Sequence, residues 1–164
     1  MLKRIACLSL LVSAAVAAPA LALPPFSTAP KAGPAIGSVQ AQVAALSVSR
    51  HPGFDRIVVR FKFSRPGYKV HYVPKVIADG SGLPVPLLGS HSLLVRLEPA
   101  RAHTTAGSAA ILRVVTPRFV AIRQVKVAGD FEGVVSLGVG INGRKPFRVL
   151  ALAAPPRIVV DVRH

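Results

Sequence analysis

Cysteine is nearly missing from this sequence, with Cys7 the only one among 164 residues. Because Cys7 lies inside the apolar N-terminal stretch, the rest of the chain is left without disulfides, thiol chemistry or cysteine metal sites. Acid is also scarce: 6 Asp and Glu stand against 21 Lys and Arg. Asp130 and Glu132 form the one close pair, in the glycine-flanked stretch Gly129-Asp130-Phe131-Glu132-Gly133. Acid/base work by two carboxylates needs a set separation across a cleft, whereas acids in a turn are ordinarily solvated or bonded to local amides. The five histidines, His51, His71, His91, His103 and His164, show no metal-ligand spacing. There is no G-x-S-x-G elbow. Gly80-x-Gly82 and Gly138-x-Gly140 neither open a helix nor precede a lysine, so they are not phosphate loops. These absences leave no catalytic machinery, no metal and no cofactor in view. The chain reads as a non-enzyme.

The N-terminus reads as an export signal over residues 1–22. Lys3 and Arg4 precede an uncharged apolar run from Ile5 to Ala18, and Ala20-Leu21-Ala22 supplies the small-x-small cleavage pattern. Fourteen apolar residues fall short of the roughly 20 that span a bilayer, so no transmembrane anchor is expected after cleavage. Cys7 sits too early in the run for a lipoprotein signal. Residues 23–41, with Pro24, Pro25, Pro30, Gly33, Pro34 and Gly37, read as a flexible linker. Residues 42–164 are expected to form one domain.

Without the leader, 19 basic residues face 6 acidic ones, a net of +13. Such an imbalance favours anionic partners, and a generally basic, arginine-rich composition would give the same excess. In a periplasm or outside the cell those partners are cell-wall polymers, peptidoglycan carboxylates and lipid headgroups. Nucleic acid is not expected. The basic residues are scattered, without a compact basic helix or an aromatic-interleaved sheet.

Beyond the linker the hydrophobic period is two. Ile57, Val59, Phe61 and Phe63 alternate with Arg56, Arg60 and Lys62, placing one face on the core and the other in solvent. Ser92–Leu97 and Val120–Val127 are further strand runs. Val135, Leu137, Val139 and Ile141 make another row, and the turn signal Asn142-Gly143 before Phe147 predicts a hairpin. Ile158, Val160 and Val162 close the chain. Only Ala100–Ala110 has room for a helical turn. The expectation is an antiparallel β-sandwich of about eight to nine short strands.

His51-Pro52-Gly53-Phe54-Asp55-Arg56-Ile57-Val58 running into an alternating strand resembles the opening of AMIN-like domains. Pro66-Gly67-Tyr68-x-Val70-x-Tyr72, Gly129-Asp130-Phe131-Glu132-Gly133 and Pro146-Phe147-Arg148-Val149 follow in that family's order. Pro156-Arg157-Ile158-Val159-Val160-Asp161-Val162 is similar to its closing strand. The resemblance spans about Val43 to Val162. It implies a β-sandwich module of the cell envelope, related to domains that localise cell-wall amidases and secretin pilots by binding peptidoglycan or envelope partners. The sequence departs from the pattern in having no lipobox and no amidase or secretin domain within its length.

Two kinds of side chain in these motifs suit ligand contact. Arginine's planar fork matches carboxylate and phosphate, which marks Arg56, Arg148 and Arg157; Asp55, Tyr68, Tyr72 and Asp161 complete the motif-derived candidates. Arg157 and Asp161, four apart on one strand, share a face, where a cross-strand ion pair fixing register is the simpler reading. The expected function is a non-catalytic envelope binding module for peptidoglycan or another anionic wall polymer. The alternatives are a protein–protein adaptor, with an envelope protein as partner, and a small-ligand or lipid-binding β domain.

Overall fold

The alternation read from the sequence becomes two curled sheets, antiparallel except for one short parallel pair, in a computed structural model that describes residues 22–164. The expected signal peptide lies outside the described residues except for Ala22. One sheet has five strands: β2 (Ala41–His51), β3 (Phe54–Lys62), β6 (Ala100–Arg101), β10 (Phe147–Ala153) and β11 (Pro156–Arg163), in the order β10-β11-β3-β2-β6. The other has six: β1 (Lys31–Gly33), β4 (Gly67–Val73), β5 (His91–Glu98), β7 (Val114–Val115), β8 (Ile122–Phe131) and β9 (Val134–Ile141), in the order β1-β4-β5-β9-β8-β7. The all-β sandwich is as expected. The strand count exceeds eight to nine because β1, β6 and β7 are only 2–3 residues long, too short to leave a periodic signal.

The inner rows make the core. Ile57, Val59 and Phe61 of β3 meet Ile158, Val160 and Val162 of β11, and Leu93, Val95, Leu97, Val135, Leu137 and Val139 face them from the other sheet, all at most 5% exposed. β-Branched side chains on a pleated surface fill such a layer well. Phe63 does not join this row: its φ is +72°, the strand ends at Lys62, and the ring is 69% exposed. Alternation alone could not show where the strand stops.

Three other expectations change. Asn142-Gly143 does not close a hairpin, since β9 pairs with β5 and β8 while β10 pairs with β11. The turn carries the chain from one sheet to the other, because Ile141 and Phe147 are both buried on inner faces. Ala100–Ala110 holds no helix; it forms β6 and then a tight turn in which Thr104 N–H donates to Ser108 O. Residues 23–41, expected as a linker, pair with the edges of both sheets. Ser27 exchanges two backbone hydrogen bonds with Phe147, β1 runs antiparallel to β4, and Ile36 bridges Arg65. Pairing therefore begins well before Gln42, where two open sheet edges supply backbone partners.

β9 is buried along its whole length. One face meets the core. The other is covered by the β4–β5 connection, residues 74–90, which lies across the six-stranded sheet. The glycines of β9 make room for it. A Cβ at Gly138 would stand 3.1 Å from Val76 and 3.2 Å from Leu87, and one at Gly140 would run into the carbonyl oxygen of Leu88.

Candidate functional site

The outer face of the five-stranded sheet collects charge of one sign. Its registers set Arg148, Asp161, Arg56 and Ser49 in one row, with Arg163, Phe54 and His51 beyond it. The row Leu150, Val159, Val58 and Ser47 follows, then Leu152, Arg157, Arg60 and Ala45. Lys62 and, through the parallel pairing of Gln42 with Arg101, Arg101 lie at the far end. Seven cationic side chains thus share this face with one carboxylate, Asp161.

Asp161 holds two of the seven. Its Oδ1 accepts from Arg56 Nε at 2.6 Å, and its Oδ2 accepts from Arg56 Nη2 at 2.9 Å and Arg148 Nε at 2.8 Å. The carboxylate is fully buried, with the Arg56 and Arg148 side chains 29% and 11% exposed. The bonds to Asp161 raise the Arg56 guanidinium above its ordinary value, against the effect of burial. Aromatic rings hold the arginines from the other side. Arg148 lies 4.5 Å from the centre of Phe26 and 5.4 Å from that of Phe54, and Arg56 lies 5.1 Å from Phe54. Arg163 stacks over Phe26 at 5.6 Å, and His51 stacks on Phe54 at 4.9 Å. A desolvated arginine over a ring is held more firmly than an exposed one.

Arg157 is on the same face but does not pair with Asp161. It stands directly opposite Arg60 of β3, and among the described residues neither arginine meets a carboxylate. The Arg157 Nη1 donates only to Pro155 O, at 3.4 Å. Like charges directly opposite on neighbouring strands repel, and Arg60 and Arg157 stand so.

The remaining candidates lie elsewhere. Asp55 points inward from β3 and is fully buried, accepting from Ala121 N–H at 2.8 Å, Ile122 N–H at 2.9 Å and His164 Nε2 at 2.9 Å. It anchors the entry to β8. Tyr68 and Tyr72 sit on β4 in the other sheet and pack against the core. Tyr68 covers Gly33, where a Cβ would stand 2.6 Å from its ring. Tyr72 donates its hydroxyl to Lys145 O at 2.6 Å, and burial raises its pKa above the ordinary value against that bond and the nearby Arg144. The structure therefore joins Arg56, Arg148, Asp161 and Arg157 on one face and leaves Asp55, Tyr68 and Tyr72 apart. Sequence reasoning missed Phe26 and Arg60. Phe26 carried a signal, as the one aromatic residue in the proline-rich stretch 23–41. Arg60 carried none, because its neighbour across the sheet is 97 positions away in sequence.

Asp130 closes the opposite side of the sandwich. Its Oδ1 accepts from Ala102 N–H at 2.9 Å, and its Oδ2 lies 2.7 Å from His103 Nδ1. Its amide partner is thus in a distant segment, not in its own turn. Among the described residues no group of three or more His, Cys, Asp or Glu is placed to hold a metal, and no helix is long and apolar enough to cross a membrane.

The molecule is thus an all-β sandwich whose five-stranded sheet carries arginines on its outer face. The family model of the AMIN-like domain matches residues 41–164, and the chain belongs to that family. Membership makes it an envelope-associated, non-catalytic type of module. No curated protein and no solved structure matches the chain.

Proposed function

We propose that this domain acts after export, in the periplasm or outside the cell, as a non-catalytic module that holds peptidoglycan or another anionic wall polymer. The polymer lies on the outer face of the five-stranded sheet. The observation that carries this reading is the facing pair Arg60 and Arg157, two cations in register with no carboxylate between them. Arg56 and Arg148 contribute less to binding, because Asp161 already occupies their donors. Their place is to hold the upper part of the face flat and positively charged. Lys62 and Arg101 extend the charge along the strands.

Co-sedimentation of the chain from Leu23 with purified peptidoglycan across a salt series tests this. Retention is expected to fall smoothly as salt rises, since contacts between a basic face and a polyanion are screened within about a nanometre at moderate ionic strength. The double variant Arg60→Ala/Arg157→Ala is expected to weaken retention about tenfold at low salt through loss of charge-assisted contacts. No retention at low ionic strength would remove the polymer and direct attention to a protein partner. A lipid or small-ligand reading has one specific support, an apolar groove of about 520 Å³ lined by Pro74, Val76, Pro84, Pro86 and Leu87. Mass spectrometry of the purified protein for a copurifying apolar molecule addresses it.

A further inference from the structure

β2 is the longest strand, Ala41–His51, and most of one side of it is unpaired. It pairs with β3 from Gln42 to His51, but with β6 only at Ala41 and Gln42. Among the described residues, no backbone hydrogen bond joins residues 43–51 to anything except β3. The other outer strands are shorter. β1, β6 and β7 have 2–3 residues each; β10, seven residues long, is met by Ser27 at its first residue only and is a second, shorter open edge.

Natural sheet edges are usually blunted by charge, proline, bulges or shortness. β2 has a bulge between Val43 and Ala45 and one charge at its far end, Arg50. Between them, Ala45-Leu46-Ser47-Val48-Ser49 has neither charge nor proline, in a chain of net charge +15. Ala45, Ser47 and Ser49 face outward, while Leu46 and Val48 are half-buried against the core margin. An uncharged, extended edge of this length is a template for another strand.

We infer that this edge pairs with the same edge of a second copy of the chain. The strand is self-complementary about a two-fold axis through Ser47. In an antiparallel pair, directly opposite residues point to the same face. Ser47 then meets Ser47 of the second copy, Ala45 meets Ser49, and Leu46 meets Val48. Arg50 falls opposite Ala44, so no like charges meet across the seam. From Ala44 to Ser49 the edge carries no charge that would select an acidic or basic strand from another protein. Closure about a two-fold uses the whole edge once, leaving no open filament.

The geometry has a consequence for the arginine face. Edge-to-edge pairing joins two five-stranded sheets into one of ten and sets both outer faces on the same side. The two Arg60–Arg157 pairs then belong to one continuous cationic surface. Two such basic bodies repel each other at long range, and salt or a bound polyanion relieves that repulsion. A seam of about six residues per copy is smaller than a standard stable interface. The dimer is therefore weak in dilute low-salt solution and grows with ionic strength.

Sedimentation velocity of the chain from Leu23, which carries every described strand, tests the pairing over a range of concentrations at low and high salt. A monomer–dimer equilibrium that tightens with salt is expected. Ser47→Lys sets two lysines facing each other on the axis and is expected to raise the dissociation constant at least about tenfold. Ser47→Thr, which keeps a neutral strand former, is expected to retain the dimer. Hydrogen exchange gives a second readout in the unaltered protein, with those amides of residues 44–50 that point away from β3 protected as concentration rises. A monomer at high concentration in high salt would overturn the inference, as would a dimer that Ser47→Lys leaves unchanged. The inference stands apart from polymer binding: a monomeric protein retained by peptidoglycan would refute only the pairing, and a salt-promoted dimer not retained by peptidoglycan would refute only the polymer.

Discussion

At the residue scale, Asp161 concentrates the most consequence in one side chain. A fully buried carboxylate bonded to two arginines is stable only while both stay in place, and removing its charge leaves two guanidinia facing each other in low dielectric. Asp161→Asn is expected to lower stability by about 3 kcal/mol, read as a lower urea midpoint with an unchanged slope. His71 offers a second, pH-linked test. Burial, aided by the neighbouring Lys69, holds its imidazole below the ordinary value. Its Nδ1 is buried and has no hydrogen-bond partner among the described residues. A folded state that resists protonation binds fewer protons than the unfolded chain, so the contribution is intact above the unfolded value of about 6.5 and is lost as pH falls through the window beneath it. His71→Gln is expected to flatten thermal stability between neutral and mildly acidic pH, relative to the unaltered protein. An identical pH profile in the variant would exclude His71 as the source.

At the scale of elements, the connection between β4 and β5 has a structural part as well as a covering one. Lys126 Nζ donates to Pro86 O at 2.6 Å, Leu88 N–H donates to Gln124 Oε1 at 3.2 Å, and Ser90 N–H donates to Ile141 O at 2.9 Å. These bonds fasten the connection over the strip cleared by Gly138 and Gly140. Gly140→Ala is expected to cost about 2 kcal/mol, since the added methyl must push backbone rather than a flexible side chain. The check is a thermal melt, together with faster proteolysis between residues 74 and 90. The N-terminal segment acts likewise at another edge: Ser27 and β1 bind opposite sheets, so 22–40 ties the sandwich together along one side. Its proline and glycine content concealed this, because edge pairing needs backbone groups and no particular side-chain period.

At the scale of the whole molecule, every acid but Asp161 lies off the arginine face. Asp79, Glu98 and Glu132 line one pocket beside the six-stranded sheet, Asp55 is buried, and Asp130 is turned toward Ala102 and His103. This leaves the other sheet's outer face to the arginines. Seven of the 19 Lys and Arg beyond residue 22 lie on that face and 12 are spread elsewhere, so a polyanion is drawn to the whole cation and the face is set apart by its local charge. A salt series on the double arginine variant reads this directly: its retention should be lower and also less steeply dependent on salt, because fewer counterions are exchanged on binding. Equal slopes for both proteins would mean that the polymer is held by another surface.

The class of fold, the inner rows of β3, β9 and β11, and the family were legible in the amino-acid order, because the pleat imposes a period of two within a few residues of chain. The predominance of positive charge was equally legible. Pairing was not. Local alternation says that Arg56, Arg157 and Asp161 point outward, but not which strand lies beside which. Only the register of β11 between β3 and β10 placed Asp161 between Arg56 and Arg148 and brought Arg157 to Arg60. The same holds for Asn142-Gly143, whose sequence favours a turn but whose flanking strands belong to different sheets. Strand pairing is a contest among distant segments for backbone partners and core space. That contest is resolved only when the whole chain packs.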